Sequence, residues 1–367
     1  MSDAGIGMCT GVPDSLLKQI CSCITEKACG DNHIIAANEG AAVGLAIGSY
    51  MATGKPAMLY MQNSGLGNII NPLLSLADPK VYSIPMLLMI GWRGEPGVKD
   101  EPQHVKQGEV TLKMLEAMGV PYQILPNCDE DAQQVMRQMV KMAVDLNKPT
   151  ALVVRKNTFE KYQTQEPEKS EAKLSLKREQ ALSIILDEID AEDVVVSTTG
   201  MISREIFEYR EKNQQGHAQD FLTVGGMGHC SQIALGVALS NKNKKVYCID
   251  GDGAVIMHMG SLGISGQYQG GNLIHFVLNN GKHDSVGGQS TVGFDIDVPA
   301  IAKACGYKEA VSVDTEEAIR QEIRRIKNLG EAALLEVRVL PGARSDLGRP
   351  TTTPIENKKS FMAHVMS

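Results

Sequence analysis

The sequence predicts two doubly wound α/β domains in tandem, each built on a mostly parallel sheet. Three observations carry this. Short apolar runs alternate with helix-like stretches along both halves of the 367 residues, the pattern of repeated strand–helix–strand units. A polar segment at 156–177, rich in Lys, Glu and Gln, separates the halves as a linker would. Turns rich in Gly, Asn, Asp and Ser follow the apolar runs directly, and in such sheets ligands gather at the carboxyl ends of strands. The expected domains are therefore 1–155 and 178–367, each long enough for its own core.

Composition narrows the function classes. An apolar fraction of 43% with 22% charged residues is that of a soluble globular protein. A net charge of −7 argues against nucleic acid as the main partner. No apolar run is long enough to span a bilayer. Met1-Ser2-Asp3-Ala4 lacks the basic region and apolar core of a signal peptide, so a cytoplasmic location is expected. Eight cysteines are scattered through apolar segments. Cys21 and Cys23 form a Cys-x-Cys pair with Cys29 nearby, but there is no Cys-x-x-Cys. Reduced, buried thiols are expected.

Taken in order, Gly11-Val12-Pro13-Asp14-Ser15 reads as a helix start, with Pro and capping types ahead of an apolar-periodic run. His33 to Ala37 is a short strand, followed by Asn38-Glu39-Gly40 and a helix of small residues at 41–48. The strand at 57–61 ends in Gln62-Asn63-Ser64-Gly65-Leu66-Gly67, and a helix follows. The buried strand at 85–90 leads into a long polar loop from Gly91 to His104, of a length that is usually functional. A helix (109–118), a strand (121–125), a helix (129–146) and a strand (150–155) complete the first domain. The second repeats the scheme. Its helix at 177–189 leads to the strand 194–196 and the turn Ser197-Thr198-Thr199-Gly200. The strand 221–224 precedes Gly225-Gly226-Met227-Gly228 and a helix at 229–240. The strands 245–249 and 272–278, a helix near 314–328 and a strand at 332–337 close it.

The most specific signal is a pair of turns. Gly251-Asp252-Gly253-Ala254 ends one apolar run and Asn279-Asn280-Gly281-Lys282 ends another, one crossover later. An Asp and an Asn at adjacent strand ends make an oxygen-rich pocket suited to Mg²⁺, a cation that usually keeps phosphate oxygens as further ligands. The glycines let backbone N–H groups close on a phosphate. Glu39 comes second. Ahead of a small-residue helix it serves as a helix N-terminal carboxylate. It equally fits a half-buried carboxylate whose raised pKa lets it exchange a proton with a heterocycle. The glycine loop 225–228 is third. Gly226-x-Gly228-x-x-Ser231, with Asp250 ending the next strand, nearly fits a dinucleotide fingerprint and would make the chain an NAD-linked dehydrogenase. The third glycine is absent, and this alternative leaves Glu39 and the Asn-Asn turn unused. Arg93, Gln103, His104, Lys106, Lys282 and His283 form a cationic and amide set. Placed beside strand-end turns, they are candidates for an anionic substrate. Asp14 and Ser15 at a helix start, with Asn63 and Ser64 of the next turn, join the candidates.

These residues resemble those of the thiamine diphosphate-dependent 2-oxoacid decarboxylases. That family pairs Gly-Asp-Gly with a later Asn-Asn and keeps a Glu before a small-residue helix in a separate domain. The stretches Gly11 to Leu17, Ala37-Asn38-Glu39-Gly40, Gln62 to Asn68, Arg93 to Gly97 with Asp100 to His104, and Ser285-Val286-Gly287-Gly288-Gln289 are similar to the phosphonopyruvate-decarboxylating subgroup. A sulfopyruvate-decarboxylating sister group is similar in design. The resemblance covers nearly the whole chain and implies a pyrimidine-binding domain followed by a diphosphate-binding domain, with no middle domain. It implies Mg²⁺ held by Asp252, Asn280 and the Lys282 backbone carbonyl, and diphosphate met by the Gly253 and Ala254 amides. It implies that the loop at Gly226 and Met227 supports the bent cofactor. Glu39, from a neighbouring subunit, is implied at the pyrimidine ring, so a homo-oligomer is expected. The implied substrate is a small 2-oxoacid, phosphonopyruvate, in phosphonate biosynthesis.

Overall fold

The central strands of the first half are buried along almost their whole length, while its two edge strands are only partly buried. The computed structural model describes residues 4–28, 32–163, 174–268 and 270–367. The chain divides into two compact units, residues 1–167 and 168–367. In the first unit the elements run β1 (Met8–Gly11), α1 (Lys18–Lys27), β2 (His33–Ile35), α2 (Glu39–Thr53), β3 (Ala57–Gln62) and α3 (Leu66–Pro72). They continue with β4 (Met86–Gly91), α4 (Pro102–Ala117), β5 (Tyr122–Ile124), α5 (Asp129–Leu146) and β6 (Pro149–Val154). The six strands form one sheet in the order β2-β1-β3-β4-β6-β5, with every pair parallel.

Strand parity explains why the sheet needs cover on both faces. Leu59, Met61, Met86, Leu88 and Ile90 point to one side and pack with Ala42, Val43, Ala46 and Leu66. Met58, Tyr60, Leu87, Met89 and Leu152 point to the other and pack with Leu17, Cys21, Ile24 and Met139.

The second unit runs α6 (Arg178–Asp187), β7 (Val194–Ser197), α7 (Met201–Lys212), β8 (Asp220–Leu222), α8 (Cys230–Ser240), β9 (Val246–Gly251), α9 (Asp252–Met257) and α10 (Gly260–Tyr268). It ends with β10 (Leu273–Asn279), α11 (Val298–Ala304), β11 (Glu309–Val313), α12 (Glu316–Lys327), β12 (Ala333–Arg338) and α13 (Pro354–Met366). Its sheet has the order β11-β12-β10-β9-β7-β8, again parallel throughout.

Several elements differ from the sequence reading. The first strand, Met8–Gly11, precedes a run read only as a helix start, and α1 begins at Lys18 after bends through Ser15–Leu17. Helix α4 begins at Pro102, not near 109. Proline is at home at the first helical position, where its missing N–H costs nothing. The polar loop is therefore shortened, and Gln103, His104 and Lys106 lie on helix. The crossover between β9 and β10 holds two helices, α9 and α10. Helices α7, α11 and α13 and strand β11 carried no sequence assignment. Part of the expected linker, 164–173, and Cys29 lie outside the described residues. Among the described residues no helix is long and apolar enough to cross a membrane. Cys9, Cys21, Cys230 and Cys248 are buried, and burial pushes the Cys230 thiol up to about 11.

Candidate active site

Each sheet has a place where the strand order reverses, and crevices for ligands open there, outside the carboxyl ends of the strands. In the first unit it falls between β1 and β3, and in the second between β7 and β9.

The second unit's crevice is lined by Thr198 and Thr199 after β7, Gly251 to Ala254 after β9, and Asn280 and Lys282 to Ser285 after β10, with Met227 and Arg178. Asp252 opens α9 and is 3% exposed. Burial pushes its carboxyl up to about 6, against the pull of Thr291 and of backbone amides that donate to it. The Thr291 hydroxyl donates to its Oδ2. A carboxylate so enclosed is costly to ionise without a cation.

The two asparagines divide the labour. Asn279, the last residue of β10, is fully buried and braces the turn. Its Nδ2 donates to the Gly293 carbonyl at 2.6 Å and to Glu336 Oε1 at 2.7 Å, while its Oδ1 accepts from Gly281 N. Asn280, 4% exposed, faces the crevice instead. Its Oδ1 accepts from Lys282 N at 3.0 Å, and its Nδ2 donates to Asp284 Oδ2 at 2.7 Å. A carbonyl oxygen has two lone pairs, so Oδ1 retains acceptor capacity. The donor set of Asp252 carboxylate and Asn280 amide oxygen, all hard oxygen, fits Mg²⁺. Lys282 also spends its Nζ on Ser290 Oγ at 3.2 Å. His283 belongs to the same crevice but not as a cation. Burial lowers its imidazole to about 4, with Asp284 pulling the other way.

Gly226, in the left-handed region at φ +67°, turns the loop that carries the half-buried Met227 into the crevice. The same loop follows β8, an edge strand lying outside the reversal point. That is the wrong place for a dinucleotide pyrophosphate, which sits at the reversal itself.

In the first unit Glu39 is the first residue of α2 and is 5% exposed. Asn38 caps the helix, its Oδ1 accepting from Ala41 N at 2.9 Å. Glu39 therefore is not the cap. Its Oε2 accepts from Asn68 Nδ2 at 2.7 Å. A Cβ at Gly65 would lie 2.5 Å from Glu39 Oε1, so the residue after Ser64 must be glycine for this carboxylate to keep its seat.

Around the first unit's reversal point the other candidates form a connected set. Asp14 is fully buried, and burial raises its carboxyl despite bonds from Gln62 Nε2 at 2.7 Å and Leu16 N at 2.9 Å. Ser64 Oγ donates to Gln62 Oε1. Asn63 locks the backbone of Arg93: its Nδ2 donates to Arg93 O at 2.8 Å and its Oδ1 accepts from Arg93 N at 3.1 Å. The Arg93 guanidinium donates to both Asp100 oxygens, at 2.8 and 2.5 Å, and to Ser15 Oγ at 2.9 Å. Burial would raise the Asp100 carboxyl, but Arg93 and the Glu101 and Gly94 amides outweigh it and hold it well below the usual carboxylate range. A cleft of about 310 Å³ opens beside this pair, lined by Ser15, Gln19, Arg93, Lys99 and Lys156 among others.

Gln103, His104 and Lys106 are not among that cleft's lining residues. Lys106 is exposed and ion-paired with Glu109 one turn along α4. Lys99 and Lys156 were missed in the sequence. Lys156 follows β6 and was legible from the strand-end rule, whereas Lys99 looked like any solvated loop lysine. Thr291 and Arg178 gave no sequence signal, since only folding brings them to Asp252 and Asn280.

Comparison with known proteins agrees with this geometry. Residues 1–117 match the thiamine pyrophosphate enzyme N-terminal TPP binding domain, and residues 198–337 match the C-terminal TPP binding domain. A phosphonopyruvate decarboxylase of Streptomyces viridochromogenes is 33% identical over 98% of this chain and 92% of its own length. One from Streptomyces hygroscopicus is 32% identical over 97% and 90%. A sulfopyruvate decarboxylase of Methanosarcina acetivorans is 28% identical over 98% and 94%. The chain belongs to the thiamine pyrophosphate enzymes, in the branch that holds the phosphonopyruvate decarboxylases.

Proposed function

We propose that the chain decarboxylates 3-phosphonopyruvate to phosphonoacetaldehyde and CO2, using thiamine diphosphate and Mg²⁺. The observation that carries the reading is the crevice at the β7/β9 reversal, lined together by the buried Asp252 and Asn280 and by glycine-rich backbone. Asp252, Asn280 and the Lys282 carbonyl would hold Mg²⁺, and the Gly253 and Ala254 amides would meet the diphosphate. Met227, with Gly226 as its hinge, would give the cofactor an apolar support. Bound thiamine diphosphate would supply the electron sink that decarboxylation of a 2-oxoacid needs. The Glu39 carboxyl would hold or release a proton toward the pyrimidine ring. It comes from the first unit of a neighbouring chain, so the functional enzyme is a homo-oligomer.

The substrate carries two acidic groups with opposite needs. The carboxylate must lose its charge, which a poorly solvated setting favours. The phosphonate must stay anchored, which needs donors. Arg93, Lys99, Lys156 and Ser15 provide them in one cleft. Arg93 is tied to Asp100, so the two lysines supply the uncommitted charge. Lys106, paired with Glu109 away from that cleft, is not assigned this role.

The test is aldehyde formation from phosphonopyruvate, sulfopyruvate and pyruvate in parallel, with Mg²⁺ and cofactor supplied. Phosphonopyruvate is expected to give the highest kcat/KM. A higher value for sulfopyruvate would transfer the assignment to that substrate, and no turnover of any of the three would overturn it.

A further inference from the structure

Arg178 opens α6, and nothing in its sequence setting sets it apart from a solvated helix residue. In the structure its side chain is 5% exposed and fully engaged. Nε donates to both oxygens of Glu205, at 3.2 and 3.0 Å, and Nη2 donates to Glu205 Oε1 at 2.9 Å. Glu205 is itself only 2% exposed, so this fork fixes the guanidinium. The remaining nitrogen, Nη1, donates to Asp284 Oδ2 at 2.6 Å. That oxygen accepts twice more, from Asn280 Nδ2 at 2.7 Å and from Gly342 N at 3.0 Å. Three donors therefore converge on one oxygen, which serves them all as acceptor.

We propose that Arg178 and Asp284 are positioning residues for the metal, setting the orientation of the Asn280 amide. A carboxylate can only accept, so Asn280 must turn its NH2 toward Asp284. A backbone N–H can only donate, so Lys282 N must face the Asn280 oxygen. The two partners independently select one of the two amide orientations. In the flipped orientation NH2 would replace oxygen at the ion, and an NH2 cannot ligate a cation. Glu205 and Arg178 thus act through Asp284, and Asp284 through Asn280. The inference rests on the reading of Asp252 and Asn280 as metal ligands.

The experiment is an electron paramagnetic resonance titration of the full chain with Mn²⁺, a spectroscopic stand-in for Mg²⁺, in the presence of thiamine diphosphate. Asp284→Ala is expected to weaken Mn²⁺ binding by about 10- to 100-fold, the usual effect of removing a group that orients a metal ligand. Asp284→Asn, which keeps an acceptor oxygen, recovers part of that loss. The double variant Asn280→Ala/Asp284→Ala is expected to bind no more weakly than Asn280→Ala alone, because on this proposal Asp284 acts on the ion through Asn280. Wild-type affinity in Asp284→Ala, or additive losses in the double variant, would overturn the inference. If Asp284→Ala does not fold, Asp284→Asn replaces it in the same cycle, with a smaller loss and the same non-additivity expected. The metal reading fails separately, if Asp252→Ala and Asn280→Ala both bind Mn²⁺ as the wild type does.

Discussion

At the scale of single residues, the strongest expectations attach to carboxylates that have left water. Glu39 is held by Asn68 and kept in place by the bare Cα of Gly65. Glu39→Gln keeps the shape of the side chain and removes its proton chemistry. Thiamine diphosphate affinity is expected to stay close to wild type while turnover falls by roughly 10²- to 10⁴-fold. Full activity in that variant would remove Glu39 from the mechanism. Gly65→Ala tests the seat rather than the group. The added methyl displaces the carboxylate, so turnover should fall with the fold intact by circular dichroism. His283 supplies the pH expectation. Its folded-state pKa, about 4, lies below the ordinary 6.5, so the unfolded chain binds more protons between those values. The stability His283 contributes is therefore full above pH 6.5 and lost as pH falls toward 4. In protein free of metal and cofactor, its imidazole resonance should stay in the neutral position at pH 6. A midpoint near 6.5 would refute the burial effect. Only the family resemblance singled out Asn280 of the Asn-Asn pair; the residue pattern alone could not, because strand ends cannot be placed to one residue and parity decides which side chain braces and which faces the crevice.

At the scale of elements, the sequence was most legible where burial was complete. Strands β3, β4, β6 and β10 read correctly because strands covered on both faces appear as unbroken apolar runs. Short edge strands such as β11, and helices following glycine-rich turns, such as α7 after Gly200, have weaker patterns. The error with functional consequence was the start of α4. Moving it to Pro102 took Gln103, His104 and Lys106 out of the loop. The polar loop residues that remain near the cleft are Arg93, Lys99 and Asp100. Arg93→Ala removes both the Asp100 partner and a cleft donor, and should raise KM for phosphonopyruvate strongly. Lys99→Ala and Lys156→Ala should each raise KM as well, with kcat changed less. Unchanged KM in all three would take the phosphonate away from this cleft. A fast route to the same answer is competition by a small phosphonate lacking the keto group, which the lysine variants should bind less tightly.

At the scale of the whole molecule, the groups divide between the two units in a way that no single sheet could supply. Asp252 and Asn280, the proposed cation ligands, lie in the second unit, while Glu39 lies in the first. If each active site draws Glu39 from one chain and Asp252 from another, two inactive variants should rescue each other. Glu39→Gln and Asp252→Asn are mixed in equal amounts and allowed to exchange subunits. Random pairing makes about half the dimers mixed, and each mixed dimer has one site with both native groups and one with neither. About a quarter of wild-type activity should therefore return, at a rate set by subunit exchange. If each site were built within one chain, every site in a mixed dimer would lack one of the two groups, and no activity would return. The metal provides an internal control. The rescued activity should need Mg²⁺ at the same concentration as the wild type, because the working sites carry an unaltered Asp252 and Asn280. Recovery without subunit exchange, or recovery only at higher Mg²⁺, would mean that the Asp252→Asn sites themselves had regained function, and the shared-site reading would fall.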